Sequence, residues 1–277
     1  MEHTEGTFTG YKRLKLYYQC WLPDGEPKAI LLVVHGMAEH SGRYTNLVNY
    51  FVPKGYAVYG FDQRGHGKSE GLRCYVERFS DYLNDLKAFL NIVRGERGDT
   101  KIFLVGHSMG GTLATIYSVH HQHELAGLIL SGAGLKVTSS VSPILIALAP
   151  IASRLLPKLG IMALDASAAS QDQAVVDAAQ NDPLVYHGRI RVRLGAEMLK
   201  ATQELPRQMS WISLPILIMH GSADRLADPA GSQMLYERVS SEDKTLKFYE
   251  GFYHEIFNEP EHVQVFADME AWLATHV

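Results

Sequence analysis

The sequence predicts an α/β protein with a mostly parallel central sheet, helices on both faces of that sheet, and a helical cap inserted between two of its strands. Two observations predict this class. Short runs rich in Val, Ile and Leu recur along the chain, bounded by glycine or turn residues and separated by helical patterns. Such runs are typical of parallel strands buried on both faces. One gap between these runs is also much longer than the others.

Each apolar run is expected to form one strand. The clearest runs lie at residues 30–34, 56–61, 102–105, 128–130, 216–219 and 246–249, and an outer strand is expected at 14–21. A strand and its crossover helix take about 30 residues, but 88 residues separate Ile129 from Leu217, the midpoints of two successive runs. We therefore expect a core of residues 1–133 and 211–277 and a cap of residues 134–210.

The first part of the expected cap is unusually apolar. The pattern over residues 141–161 predicts a helix that apolar side chains nearly encircle, among them Ile144, Leu145, Leu148, Ile151, Leu155, Leu156 and Leu159. Such a helix either packs permanently on the sheet or meets lipid as well. The uncharged stretch 137–153 contains Ser and Pro and is shorter than the roughly 20 apolar residues of a bilayer span. No transmembrane helix is therefore expected.

Charge and cysteine content exclude other classes. The formal net charge is −4, from 26 Lys and Arg against 30 Asp and Glu, which argues against a nucleic-acid-binding protein. Cys20 and Cys74 are too few for a disulfide framework, and both are expected to be reduced. No apolar run of signal-peptide length follows the acidic start. A cytoplasmic location is expected, with peripheral membrane contact left open.

A serine in a glycine-flanked turn is the candidate nucleophile. The run Gly-His-Ser-Met-Gly at 106–110 lies between a predicted strand and a helical pattern. Glycines on both sides of the serine let strand and helix approach closely around a sharp turn that exposes the hydroxyl. A serine hydroxyl needs a base, which a third group must orient. Ser108 therefore predicts a histidine and a carboxylate elsewhere in the chain.

The candidate base is His254. In enzymes with this kind of turn the chain order is serine, acid, histidine, which restricts the choice among the 13 histidines. His254 follows the last predicted strand, where its side chain would project at the carboxyl edge of the sheet. The alternatives are weaker, because His262 falls in a helical pattern and His276 lies at the terminus.

The candidate acid is Asp224. It follows the buried run 216–219 and a turn, so that it would meet His254 at the same sheet edge. Asp228 is the alternative, but it precedes Pro229, where an acidic residue more often caps a helix.

The charged oxygen of a tetrahedral intermediate needs two backbone N–H donors. One is expected from Met109, the residue after the serine, at the positive end of a helix. The second is expected from Met37, in the turn after the run 30–34. The two methionine side chains then either shape the pocket or pack in the core.

Two other clusters are interpreted as structural. The run 62–69 ends in Gly-Lys-Ser but lacks the glycine spacing of a phosphate loop, so structural hydrogen bonding is expected. His120, His121 and His123 crowd the end of a predicted helix, where they oppose its dipole. No metal and no cofactor are expected.

Six segments across nearly the whole chain carry a further signal. They are residues 35–44, 65–71, 106–111, 181–184, 221–225, and 244–251 with His254. Together they resemble the monoacylglycerol lipases of the alpha/beta-hydrolase superfamily. The serine turn is common to the superfamily, whereas Glu-His-Ser-Gly-Arg-Tyr at 39–44 and Gly-Ser-Ala-Asp-Arg at 221–225 are much more specific.

The resemblance implies the alpha/beta-hydrolase fold and a cofactor-free serine hydrolase that cleaves monoacylglycerols to fatty acid and glycerol through an acyl-enzyme. The residues it implies are Ser108, Asp224 and His254 as the triad, Met37 and Met109 as oxyanion donors, and Glu39, Arg43 and His107 near the glycerol. The acyl chain would lie under the cap, which would touch a membrane or lipid surface transiently.

Two residues depart from the family pattern. Met37 stands where the family has Ala, which should narrow the pocket, and Ala179 stands where it has a tyrosine, which removes a hydroxyl from the glycerol site. A broader carboxylesterase, thioesterase or lysophospholipase therefore remains an alternative, since the same triad serves any activated acyl group. A non-catalytic small-molecule-binding module is the alternative from another class. The oligomeric state is not predicted.

Overall fold

The structure is a computed structural model that describes residues 1–137 and 143–277. Its strands are β1 (Glu2–Thr9), β2 (Lys15–Leu22), β3 (Ala29–Val34), β4 (Tyr56–Phe61), β5 (Ile102–His107), β6 (Gly127–Ser131), β7 (Gly160–Met162), β8 (Ile190–Arg191), β9 (Ile216–Gly221) and β10 (Lys244–Tyr249). Its α-helices are α1 (Thr45–Phe51), α2 (Phe79–Arg97), α3 (Met109–His121), α4 (Pro143–Leu155), α5 (Gln173–Asn181), α6 (Val192–Glu204), α7 (Ala230–Arg238) and α8 (His262–Ala274).

Eight strands form one sheet in the order β1-β2-β4-β3-β5-β6-β9-β10. Every pair from β4 to β10 is parallel, whereas β1 with β2 and β2 with β4 are antiparallel. The predicted mostly parallel sheet is confirmed. Strand β1 was not predicted, because its sequence is polar and its side chains are mostly exposed. It is an edge strand held by its backbone pairing with β2, which an apolar pattern does not reveal.

Helices cover both faces of the sheet, as predicted. Alternate residues of a strand point to opposite faces, and in β3 the buried side chains of Ile30 and Leu32 belong to one apolar cluster while those of Leu31 and Val33 belong to the other. The first cluster includes side chains of α2, α3 and α6, and the second includes side chains of α1 and α8. The strands are therefore buried on both sides, which explains their continuous apolar runs.

The long gap between β6 and β9 holds α4, β7, α5, β8 and α6. These elements lie within the predicted cap, although its limits of 134 and 210 stay a prediction. The segment is partly anchored in the core, because Leu194 and Ala201 of α6 and the following Leu205 and Met209 are buried in the first apolar cluster.

The helix predicted over residues 141–161 ends earlier in the structure than expected, so this part of the prediction is wrong. Residues 141 and 142 lie outside the part of the chain that the structure describes. Helix α4 ends at Leu155, before Pro157, and Ile161 lies in β7, which pairs antiparallel with β8. Proline lacks an N–H and disfavours helical geometry in the residue before it. These effects favour an end to the helix before Pro157, although α4 itself runs through Pro150.

Four large apolar side chains of α4 are exposed. The exposed fractions are 70% for Ile144, 50% for Leu148, 59% for Ile151 and 71% for Leu155. In the structure this stripe is therefore not packed on the sheet. Among the residues that the structure describes, no helix is long and apolar enough to cross a bilayer.

Candidate active site

Ser108 occupies a strained turn between β5 and α3. Its backbone has φ 53° and ψ −120°, a region that residues with a side chain rarely adopt and that costs on the order of 1–3 kcal/mol. A Cβ atom at Gly106 would lie 2.8 Å from Cβ of Ala114, and one at Gly110 would overlap the carbonyl oxygen of Val34. The close approach that the two glycines were predicted to permit is therefore present.

Asp224 and His254 meet at the carboxyl edge of the sheet. They follow the neighbouring parallel strands β9 and β10, and Nδ1 of His254 lies 2.7 Å from Oδ2 of Asp224. The other oxygen, Oδ1, accepts the N–H groups of Leu226 at 2.8 Å and Ala227 at 3.0 Å. Burial disfavours the ionised carboxylate, but hydrogen bonds from His220 and His254 outweigh it and lower the pKa of Asp224 well below its usual range.

This contact assigns the proton on His254. An ionised carboxylate only accepts hydrogen bonds, so Nδ1 carries the proton and Nε2 presents a lone pair. Burial lowers the pKa of His254, but the hydrogen bond and charge of Asp224, with the charges of Glu255 and Glu39, outweigh burial and raise that pKa above 6.5.

Ser108 and His254 line one cavity of about 650 Å³. Within the described structure no hydrogen bond joins the serine hydroxyl to the imidazole, a contact that is often long when substrate is absent. His107, the last residue of β5, has its ring centroid 4.7 Å from that of His254. Burial lowers the pKa of His107, and the nearby His254 lowers it further.

The alternative acid and bases have other roles in the structure. Oδ1 of Asp228 accepts the N–H of Ala230 at 2.9 Å, at the start of α7, as expected of a helix cap. His262 begins α8 and its Nδ1 donates to the carbonyl of Glu259 at 2.7 Å. His276 stacks on Trp272 at a centroid distance of 3.9 Å.

The two predicted oxyanion donors face the same cavity. Met37 and Met109 both line it, and neither of their backbone N–H groups donates a hydrogen bond within the described part of the chain. Met109 is the first residue of α3, where N–H groups have no intrahelical acceptor. Met37 is half-buried, whereas Met109 is buried in the core.

The loop after β3 is held in one conformation by several contacts. The carboxylate of Glu39 accepts the N–H of Gly36 within the same loop. Ala38 has φ 67°, a left-handed conformation, and its carbonyl accepts the N–H of Tyr186 from the cap at 2.8 Å. Nε2 of Gln63 donates to the carbonyl of His35 at 2.6 Å. The position of the N–H of Met37 is therefore fixed from both the core and the cap.

Two of the predicted glycerol-site residues, Glu39 and Arg43, belong to a charged cluster that lines the cavity. Arg43 donates from its two terminal nitrogens to the carboxylate of Glu255 at 2.8 and 2.9 Å and lies 3.7 Å from Oε2 of Glu39. Glu39 also accepts the hydroxyl of Tyr44 at 2.9 Å. Burial opposes the charge of Arg43, but the two carboxylates outweigh it and raise its pKa.

Glu255 was missed by sequence reasoning. Burial raises its pKa, but the charge of Arg43 outweighs this effect and lowers it. The available signal was its position directly after His254, which forces its backbone into the site. Ala179, the second departure from the family pattern, also lines the cavity.

The Asp62–Ser69 segment is structural, as predicted. Oδ1 of Asp62 accepts the N–H and the hydroxyl of Ser41 at 2.8 and 2.7 Å, and Oδ2 accepts the N–H of Lys68 at 2.7 Å. Across residues 1–137 and 143–277, no group of three or more His, Cys, Asp or Glu side chains is placed to hold a metal ion.

Fold and site together define an alpha/beta-hydrolase with a serine at its strand-to-helix turn. The family model described as serine aminopeptidase, S33 matches residues 25–261. A monoacylglycerol lipase of Mycolicibacterium smegmatis is 36% identical over 274 residues, covering 99% of this chain and 98% of that protein. A monoglyceride lipase of Rattus norvegicus is 35% identical over 265 residues, covering 95% of this chain and 88% of that protein.

Solved structures agree with these relatives. The monoacylglycerol lipase of Paleococcus ferrophilus superposes with a TM-score of 0.84 at 29% identity over the full length of both chains. A soluble variant of the monoglyceride lipase of Saccharomyces cerevisiae, in complex with a substrate analog, gives 0.88 at 25% identity over 100% of this chain and 96% of that one. The chain belongs to the monoacylglycerol lipase family, and the resemblance seen in its motifs is confirmed.

Proposed function

We propose that this protein is a carboxylic ester hydrolase that cleaves monoacylglycerols to a fatty acid and glycerol. One observation carries the proposal: a single cavity joins Ser108 and His254 to the charged cluster of Glu39, Arg43 and Glu255 and to apolar side chains of the cap. The similarity to proteins named monoacylglycerol and monoglyceride lipase supports the same substrate.

The proposed reaction begins with proton transfer. Nε2 of His254 takes the proton of Ser108 as Oγ attacks the ester carbonyl, and Asp224 stabilises the imidazolium that forms. The raised pKa of His254 strengthens it as a base. The unpaired N–H groups of Met37 and Met109 stabilise the charged oxygen of the tetrahedral intermediate.

Breakdown of that intermediate releases glycerol, which takes its proton from His254, and leaves the acyl group on Ser108. A water molecule then gives its proton to Nε2 of His254 and attacks the acyl-enzyme. The fatty acid leaves as the serine regains its proton. Residues of this protein and one water molecule supply every group in these reaction steps, and the proposed mechanism uses no cofactor.

Two groups of lining residues suit the two parts of a monoacylglycerol. Cap residues Ile161, Met162 and Leu164 are apolar and would hold the acyl chain. In the cluster of Glu39, Arg43 and Glu255, two carboxylates face one guanidinium, so that this cluster carries one excess negative charge. Carboxylates accept hydrogen bonds from hydroxyl groups, and the excess charge disfavours phosphate head groups or coenzyme A. A neutral polyol therefore fits better than a lysophospholipid or acyl-CoA.

A substrate profile tests this proposal. Rates are measured on monoacylglycerols of increasing chain length, with diacylglycerols, triacylglycerols, lysophosphatidylcholine, acyl-CoA and p-nitrophenyl esters for comparison. The expected result is the highest kcat/KM on long-chain monoacylglycerols. Efficient hydrolysis of short soluble esters with little activity on long-chain monoacylglycerols would contradict it.

The exposed stripe of α4 is the proposed contact with lipid surfaces. Its residues Ile144, Leu148 and Ile151 are each at least half exposed, and the neighbouring cap residue Ile161 lines the cavity. An exposed apolar patch next to a lipid-binding cavity favours insertion at the interface. The cytoplasmic location expected from the sequence stays a prediction.

Vesicle binding tests this contact. The triple variant Ile144→Ser, Leu148→Ser, Ile151→Ser should bind phosphatidylcholine vesicles containing monoolein more weakly, as measured by flotation. Its rate on a soluble short-chain ester should match that of the unmodified protein. Val263→Ser, at an exposed position of α8, is the matched control. Unchanged flotation of the triple variant would exclude α4 as the contact.

A further inference from the structure

A second histidine contacts the proposed catalytic carboxylate. His220 lies in β9 with no exposed surface. Its Nε2 is 2.9 Å from Oδ2 of Asp224, the same oxygen that His254 contacts at 2.7 Å. Its Nδ1 is 2.7 Å from the hydroxyl of Ser232, a buried residue of α7. The reaction steps described above do not use His220.

The hydrogen-bond partners assign the protons. Oδ2 of an ionised Asp224 only accepts, so Nε2 of His220 carries a proton and donates it to that oxygen. In neutral His220, Nδ1 is then an acceptor, and Ser232 donates its hydroxyl proton to it. A continuous series of donors therefore leads from Ser232 through His220 to Asp224, where it meets the N–H of His254.

We propose that His220 is a positioning residue for the carboxylate of Asp224. It holds Oδ2 of Asp224 against His254, and His220 and His254 share the negative charge of that oxygen. This inference rests on the proposed roles of Asp224 and His254. The two backbone donors, Leu226 and Ala227, hold only Oδ1. Without His220, Oδ2 would keep a single partner, His254.

The sharing of charge has a measurable consequence. Each donor to Oδ2 reduces the negative charge available to the other. Removing the donor on His220 should therefore raise the pKa of His254 and move the acid limb of the kcat/KM profile to higher pH. The other charged or titratable groups around His254 are His107, Glu39 and Glu255, and Asp228 is close enough to interact with His220. All of them remain in the variants below.

Two variants of one residue form the test. In His220→Gln the amide nitrogen lies near the position of Nε2 and can still donate to Asp224. In His220→Asn the shorter amide lies near Nδ1 and can contact Ser232 but not Asp224. For His220→Asn we expect kcat to fall about tenfold with little change in KM, the effect of losing one hydrogen bond to a charged group. We also expect its acid limb to rise by roughly half a pH unit.

His220→Gln should recover most of kcat and the acid limb of the unmodified enzyme. A purely structural role predicts instead that both variants lower Tm and the active fraction without moving the acid limb. Equal pH profiles for His220→Asn and the unmodified enzyme, both corrected for active-site concentration, would overturn the proposal. Ser232→Ala removes the partner of Nδ1 and leaves the contact of Nε2 with Asp224, so its acid limb should stay closer to that of the unmodified enzyme than the limb of His220→Asn.

Active-site titration separates this inference from the proposed function. A fluorophosphonate should label Ser108 in the unmodified enzyme and in all three variants, with mass spectrometry locating the label. Absence of label on Ser108 in the unmodified enzyme would refute the serine mechanism itself. Labelled Ser108 with identical pH profiles would refute only the role of His220.

Discussion

Arg43 and Glu255 are separated by 212 residues in the chain, yet their side chains form a two-point ion pair at 2.8 and 2.9 Å. Both side chains are largely buried, with 13% and 9% of their surface exposed. The pair joins the segment after β3 to the residue directly after His254. It therefore links the segment after β3, which carries the proposed oxyanion donor Met37, to the segment that carries the proposed base.

Arg43→Met should destabilise the fold by about 3–5 kcal/mol, because it leaves two buried carboxylates without their partner. Urea denaturation measures the loss. The double variant with Glu255→Leu should lose less than the sum of the two single variants, since it removes one unpaired charge. Lys200→Met breaks an exposed pair with Glu204 and is the control. If the double variant loses as much free energy of unfolding as the two single variants together, the two side chains are not energetically coupled.

Ser108→Ala should abolish hydrolysis of monoolein, with kcat lower by on the order of 10⁶, while the circular dichroism spectrum stays the same. The reason is that the substitution removes the oxygen that attacks the ester in the proposed mechanism. Ser80→Ala, at an exposed position of α2, should keep full activity. Residual turnover of Ser108→Ala above about one per cent would contradict the mechanism.

The pH dependence follows from the sign of the shift at His254. Its pKa is raised above 6.5, and only the neutral imidazole acts as a base, so kcat/KM should fall as the pH drops through a value above 6.5. Asp224→Asn removes the carboxylate charge that raises the pKa of His254. That pKa should then fall, and the acid limb of the kcat/KM profile should move to lower pH. Its kcat should fall by roughly 10⁴ because the imidazole loses its proper tautomer. If the acid limb of Asp224→Asn stays at the pH of the unmodified enzyme, Asp224 does not set the pKa of the catalytic base.

Met37→Ala should widen the cavity, because Met37 is one of its lining residues and the substitution keeps the backbone N–H that is the proposed donor. We expect the rate on diacylglycerol relative to monoacylglycerol to rise about three- to tenfold, the range for a change of this size in an apolar pocket. Met234→Ala, at a half-buried position of α7 away from the cavity, should leave the ratio unchanged. A constant ratio in Met37→Ala would show that this side chain does not limit substrate size.

The parts of the fold predicted from sequence are those whose burial produces a local pattern of apolar residues. Strands β3, β4, β5, β6 and β9 are buried on both faces, so each appears as an apolar run. Strand β1 lacks such a pattern because one neighbouring strand stabilises it. The end of α4 was predicted wrongly because the apolar periodicity continues beyond Pro157, where the chain leaves the helix and enters β7.

The sequence by itself determined the buried strands of the sheet, the turn at Ser108 and the choice of Asp224 and His254, because these depend on apolar runs, glycines and strand ends within short segments. Only the tertiary structure decided that Glu255 pairs with Arg43 and that His220 shares Oδ2 of Asp224. Those contacts join side chains from different strands and loops, and their burial sets both the charge of the cavity and the basicity of the imidazole. No local pattern encodes such a distance, since it results from the packing of the whole sheet.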